Sequence, residues 1–167
     1  QARVGGDKQA KVALDVLLKY KDALSQGKAA RTVELESKEE QTVAKEMYLL
    51  TNKPVMYVCN VDESSAVSGN KYVEQVREAV KDENAQVLVL AAKTESEIAE
   101  LETYEERQMF LEEIGLQESG CNRLIKAAYA LLNLRTFLTA GADEVRAWTF
   151  REGWKAPQCA GVIHTDF

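Results

Sequence analysis

Residues 54–63 read Pro-Val-Met-Tyr-Val-Cys-Asn-Val-Asp-Glu, and two of them carry specific chemistry. Asn60 offers amide donors and an amide acceptor, and Glu63, three positions on, offers a carboxylate. Together these groups can grip a nucleotide base by its hydrogen-bonding edge, and Val61 between them presents an apolar surface to the ring. Placement matters as much as residue type. The apolar run Val55 to Cys59 stops abruptly at Asn60, and such a run suits a strand buried on both faces of a parallel sheet. In open α/β sheets, ligands bind just beyond the carboxyl ends of such strands.

The surrounding pattern supplies the elements that would hold this pair. Asn70 can cap a helix running through Glu83, with Tyr72, Val73, Val76 and Val80 facing inward. Gln86 to Ala92 is a second apolar strand, so the fold class is α/β, built on a βαβ unit with parallel strands. Its end, Ala91-Ala92-Lys93, falls where backbone N–H groups could meet the same base. Upstream, residues 7–24 have helical spacing and Gly27 is a stop. Ser37 and Glu40 form a capping box for a helix that carries Val43, Ala44, Met47, Tyr48 and Leu50 on one side and ends before Pro54. The two helices are expected to pair. Downstream, helices are expected near 95–102 and 104–114, the second with a Thr103/Glu106 capping box and a stop at Gly115. A further helix starts at Ser119 or Asn122 and buries Leu124, Ile125, Ala128, Tyr129 and Leu132. The character changes near Asn133, where Thr136–Thr139, a turn at 140–143 and Glu144–Phe150 read as a β-hairpin. Pro157 suits the first position of a short helix through Val162.

Composition narrows the function classes. The 167 residues suffice for one or two domains, and a net charge of −6 argues against a dedicated nucleic-acid-binding face. A local patch remains: Arg146, Arg151 and Lys155 lie near Trp154, whereas Trp148, inside a strand, is expected in the core. Cys59, Cys121 and Cys159 form no CxxC pair, which fits free thiols in a reducing cytosol. No apolar run approaches the ~20 residues of a membrane span. His164 is the only histidine and has no ligand spacing around it, so no metal site is expected. No G-x-x-x-x-G-K-[ST] pattern occurs, and Gly5-Gly6-Asp7-Lys8 has neither its spacing nor a preceding strand. Without that loop the chain lacks a phosphate cradle, and by itself it is not expected to hydrolyse a nucleotide. Both apolar strands ought to be central, yet the chain upstream offers no neighbours for them. With Gln1 and Phe167 as its ends, it reads as a piece of a longer protein, expected to self-associate through an exposed sheet edge.

In guanine-nucleotide-binding proteins of the P-loop class the strand-end motif is Asn-Lys-x-Asp, whose Asp accepts from two guanine donors. Here Glu63 sets the carboxylate one methylene further out, which should weaken the guanine grip and relax or reverse preference towards adenine. Read with Phe137-Leu138-Thr139-Ala140-Gly141, Glu144-Val145-Arg146-Ala147-Trp148-Thr149 and Lys155 to Phe167, the chain resembles the Obg-like ATPase family of the YchF type nearly end to end. The resemblance implies a P-loop nucleotide-binding domain with a helical coiled-coil insertion, followed by a small α+β TGS domain. Residues 1–50 would be the helical insertion's second arm and return helix. Residues 51–133 would be the C-terminal half of the nucleotide domain, with a partial parallel sheet, and residues 134–167 the opening of the TGS domain. It further implies a cytoplasmic ATPase, with ATP preferred and GTP accepted, Mg required in the full-length parent, and ribosomes and RNA as partners. Asn60, Val61 and Glu63 match the family's base motif, and Ala91 and Ala92 its second base-side loop. A non-catalytic module that binds ribosome or RNA is the alternative.

Overall fold

The computed structural model describes residues 8–83 and 85–164. Gly5, Gly6 and Asp7, and Thr165 and Asp166 of the closing motif, lie outside the described residues. The chain forms two compact units, one of residues up to Val55 with Arg77–Gln86, the other of Met56–Val76 with Val87 onward.

In the first unit, helix α1 (Lys8–Ser25) buries Val16, Tyr20 and Ala23, which recur on one face at helical spacing. It stops where Gly27 takes φ +75°, and Lys28 N–H closes the turn on Ala23 O at 2.9 Å. Helix α2 (Lys38–Glu46) opens on the expected capping box: Ser37 Oγ accepts from Glu40 N–H at 3.1 Å, and Glu40 Oε2 accepts from Ser37 N–H at 3.2 Å. Lys19 Nζ reaches Glu40 Oε1 at 2.6 Å, joining the two helices. Val16, Tyr20, Ala30 and Ala44 form the core, with Val33, Leu35, Val43, Met47 and Leu49 packed around them. A second tie, Arg31 to Glu83 at 2.5 Å, links the segment after α1 to the 80s of the chain.

Helix α2 ends earlier than the pattern suggests. Tyr48 adopts φ +50°, which no helical residue does, and the chain re-enters as a 3-10 turn over Leu50–Asn52. The reversal sends Leu49 back to the core and leaves Tyr48 and Leu50 exposed, so neither lies on a buried side.

Strands β1 (Met56–Asn60) and β2 (Gln86–Leu90), in the second unit save for Gln86, are hydrogen-bonded neighbours, and helix α3 (Lys71–Ala79), whose last turn belongs to the first unit, lies between them in the chain. They form a small parallel sheet. Asn70 Oδ1 caps α3, accepting from Tyr72 N–H at 3.0 Å and Val73 N–H at 3.2 Å. The helix stops at Ala79, and Glu83 belongs to a separate 3-10 turn. Val73 and Val80 are buried, but Tyr72 faces away and is exposed. The expected burial of β1 on both faces is not found: Val58 is 44% exposed, because β1 has a single strand neighbour among the described residues. Strand β2 ends at Leu90, not Ala92. Ala91 is the residue before helix α4 (Ala92–Glu100), and Ala92 opens that helix.

Helix α5 (Tyr104–Glu113) carries the Thr103/Glu106 capping box and ends at Gly115, φ +78°. Helix α6 (Gly120–Leu131) is capped by Ser119, whose Oγ accepts from Asn122 N–H. Its buried residues are Gly120 and Ala127; of the residues expected to face inward, Leu124 and Ala128 are half-buried, while Ile125, Tyr129 and Leu132 are exposed, so the packing face is turned part of the way round the helix. The reason is steric: the helix approaches its neighbours through the glycine, which packs against Leu90 and Glu95. Strands β3 (Leu134–Ala140) and β4 (Val145–Arg151) pair antiparallel with Phe137 opposite Trp148 and Ala140 opposite Val145. Phe137 and Phe150 lie 5.8 Å apart between ring centroids. Helix α7 (Ala156–Ile163) follows, with Pro157 in its first turn.

Candidate functional site

The end of β1 is bonded to the end of β2. Val61 N–H donates to Leu90 O at 2.9 Å, and Asn60 Oδ1 accepts from Ala92 N–H at 2.9 Å. Asn60, Val61, Ala91 and Ala92 are thus brought together, with Ala91 only 3% exposed beneath the junction. The amide of Asn60 caps the first residue of α4, a use that the reading of Asn60 as a base ligand does not foresee. The N–H of Ala92 is taken by that bond. Val61, Asp62, Glu63, Ser64 and Lys93 line the opening at this point.

Asp62 shapes the approach to Glu63. Its Oδ1 accepts from Ser65 N–H at 2.9 Å and from Ser64 Oγ at 2.9 Å, capping the 3-10 turn Glu63–Ser65. The hydroxyls of Ser65 and Ser64, with the Ser65 N–H, hold the Asp62 carboxyl below the usual aspartate range. An aspartate followed by serines at the second and third positions is a local turn signal that sequence reasoning could have used and did not.

These loops border an open cavity of about 910 Å³ within the second unit. Val61, Val67, Phe110 and Ile114 give it apolar wall. Its polar rim is acidic: Asp62, Glu63, Glu97 and Glu113 stand against one cation, Lys93, which lies 3.7 Å from Glu97. Apolar walls with carboxylate acceptors suit a flat, amino-bearing heterocycle. The same rim repels phosphate, so the phosphates of any nucleotide seated here must point away from it. Among the described residues no group of three or more His, Cys, Asp and Glu could hold a metal ion.

Behind the cavity, Glu95 takes the N-terminus of α6. Its carboxylate oxygens accept from Gly120 N–H at 2.6 Å and Cys121 N–H at 3.1 Å. Arg123, one turn on, donates from Nη2 to Val89 O at 2.9 Å. Helices α4 and α6 and strand β2 are thereby locked as one support. The 25-position separation of Glu95 and Gly120 leaves no spacing signal for this contact.

The other sequence candidates sit elsewhere. Trp148 is half-buried, not core. Its Nε1–H donates to Thr139 Oγ1 at 2.8 Å, and Arg146 covers its ring at 4.1 Å. A two-stranded hairpin is too thin to bury an indole on both sides. Trp154 is 37% exposed, and His164 is exposed at the end of α7. Cys59, Cys121 and Cys159 are free thiols, and no helix is long and apolar enough to cross a membrane among the described residues.

Comparison with known proteins agrees with this architecture. The fold resembles the solved structure of the Schizosaccharomyces pombe YchF GTPase, with a TM-score of 0.79 and 30% identity, covering 95% of this chain and 42% of that one. Residues 134–167 match the YchF-GTPase_C family, described as "Protein of unknown function (DUF933)". The mixed α/β fold, with one small parallel and one antiparallel sheet, is therefore similar to that of the YchF GTPase. The "Ribosome-binding ATPase YchF" of Bacillus subtilis (strain 168) is 55% identical over 163 residues, 96% of this chain. "Obg-like ATPase 1" of Rattus norvegicus is 41% identical over 98% of it. The chain belongs to the YchF/Obg-like ATPase family. It spans 44% and 42% of the length of these two relatives.

Proposed function

We propose that this chain forms the base-reading side of the nucleotide site in a longer, cytoplasmic, ribosome-associated ATPase. The single observation that carries the proposal is the junction of β1 with α4, where the Asn60–Ala92 bond sets Val61 and Glu63 at the mouth of an apolar, carboxylate-rimmed cavity. In this reading Glu63 accepts from the amino group of the base, and Val61 lies against the ring. Asn60 holds the loop in register through Ala92, and Ala91 forms the floor. Adenine is preferred over guanine because the longer Glu63 side chain cannot reproduce the two-donor grip that an aspartate gives to guanine. The relatives' names support the wider reading, one being a ribosome-binding ATPase and the other an Obg-like ATPase.

The phosphates and Mg would be held by residues outside this sequence, which contains no phosphate-loop pattern. The acidic rim fits that division: it can select a base and cannot hold a triphosphate. In the same reading residues 1–50 are the helical insertion's second arm and return helix, 51–133 the C-terminal half of the P-loop nucleotide domain, and 134–167 the start of a TGS domain. The ribosome is the partner of the whole protein, and RNA contact falls to the hairpin neighbourhood of Trp154, where Arg151 and Lys155 lie exposed.

The test is competition between ATP and GTP on the full-length protein. Glu63→Asp is expected to shift the ATP-to-GTP preference towards GTP by about tenfold, the scale set by one buried hydrogen-bonding mismatch. An unchanged ratio sinks the proposal.

A further inference from the structure

We infer that Asp62 is a positioning residue that sets base selectivity by fixing the orientation from which Glu63 acts; the inference rests on the base-site reading above. Three observations carry it. First, the Asp62 carboxylate is committed to its own loop: Oδ1 accepts both Ser64 Oγ and Ser65 N–H at 2.9 Å. Second, the turn it caps, Glu63–Ser65, begins with Glu63 itself, so the cap fixes the backbone that carries the reading carboxylate. Third, the turn is anchored at its far side. Ala66 is 1% exposed, and Gly69 N–H closes on Ser65 O at 2.8 Å. The Asn60–Ala92 bond holds the loop at one end and the Asp62 cap holds it at the other. Glu63 lies inside the capped turn, between Asp62 and the Ser64 and Ser65 groups that bind it.

A flexible glutamate can rotate to satisfy either purine, whereas a restrained one discriminates, because a misplaced donor stays unpaired. The role of Asp62 is therefore to limit the reach of Glu63, with no contact of its own to the base. An asparagine at this position keeps an acceptor oxygen for Ser64 and Ser65, while alanine removes it.

The experiment measures equilibrium affinities for ATP and GTP, together with thermal midpoints, on the full-length protein and on its Asp62→Ala, Asp62→Asn and Glu63→Asp variants. Asp62→Ala is expected to lower the ATP-to-GTP preference about fivefold, in line with the loss of one capping interaction. Asp62→Asn is expected to restore most of the preference. If Asp62→Ala weakens both nucleotides equally or lowers only the thermal midpoint, its role is merely structural and the inference is overturned. If Asp62→Asn behaves like Asp62→Ala, the capping argument is overturned. A wild-type ratio in Glu63→Asp overturns the base-site reading and this inference with it. A shifted ratio there, with none in Asp62→Ala, overturns this inference alone.

Discussion

A methyl group on Gly120 would lie 2.8 Å from Glu95 Oε1 and 3.0 Å from Leu90 Cβ. Both neighbours are constrained. Glu95 is engaged with two α6 N–H groups, and Leu90 is the last residue of β2, whose carbonyl accepts from Val61. Gly120→Ala should therefore cost about 1–3 kcal/mol by overpacking, measured as a lowered urea midpoint with unchanged slope. An unchanged midpoint would show that α6 can slide at no cost. The residue scale is also where the sequence said least about Asn60. Its type and its place at a strand end were readable, and so was the carboxylate three positions on. That its Oδ1 is bonded to a backbone 32 residues away was not, because periodicity carries no information about such pairs.

At the scale of elements, signals confined to one helical turn were legible. The Ser37/Glu40 and Thr103/Glu106 boxes, the Asn70 cap and the stops at Gly27 and Gly115 all stand where the sequence puts them, since each depends on groups three or four residues apart. Orientation was less legible. Helix α6 carries apolar residues on more than one side, and its packing face was decided by Gly120, whose value lies in the side chain it lacks. Tyr48 is the other case, a left-handed break that no turn-forming residue announces. The α1–α2 pair carries a pH dependence of its own. Lys19 first, then the N–H groups of Glu36 and Ser37, hold the Glu40 carboxyl below the ordinary glutamate value of 4.5. Its folded pKa is thus lower than its unfolded one. The stabilisation it brings is complete above 4.5 and is lost as pH falls through the lower, folded value. Glu40→Gln should flatten the acid limb of stability in a urea series run downward from pH 6. An acid limb as steep as that of the wild type would remove Glu40 from the account.

For the whole molecule, much apolar surface stays uncovered. Leu17, Leu18, Tyr48, Leu50, Val58, Ile125, Leu138 and Val145 are all more than 40% exposed, and β1 and β2 pair only with each other among the described residues. Exposed apolar side chains and open strand edges favour association. The 167-residue chain alone should sediment as a concentration-dependent mixture, and a single monomeric species across the accessible range would contradict this. The Asn60–Ala92 bond has a consequence of another kind, in the order of synthesis. Asn60 leaves the machinery that makes it well before Ala92 does, since Ala92 lies 32 positions further on. The loop that carries Glu63 therefore has no partner for its anchor while α3 is being made, and it takes its final shape only after the second strand and the start of α4 have emerged. On the proposed reading, a nascent chain halted between residues 63 and 92 would display Asn60, Val61 and Glu63 without their final geometry, and any base selection would be acquired only once the start of α4 has been made.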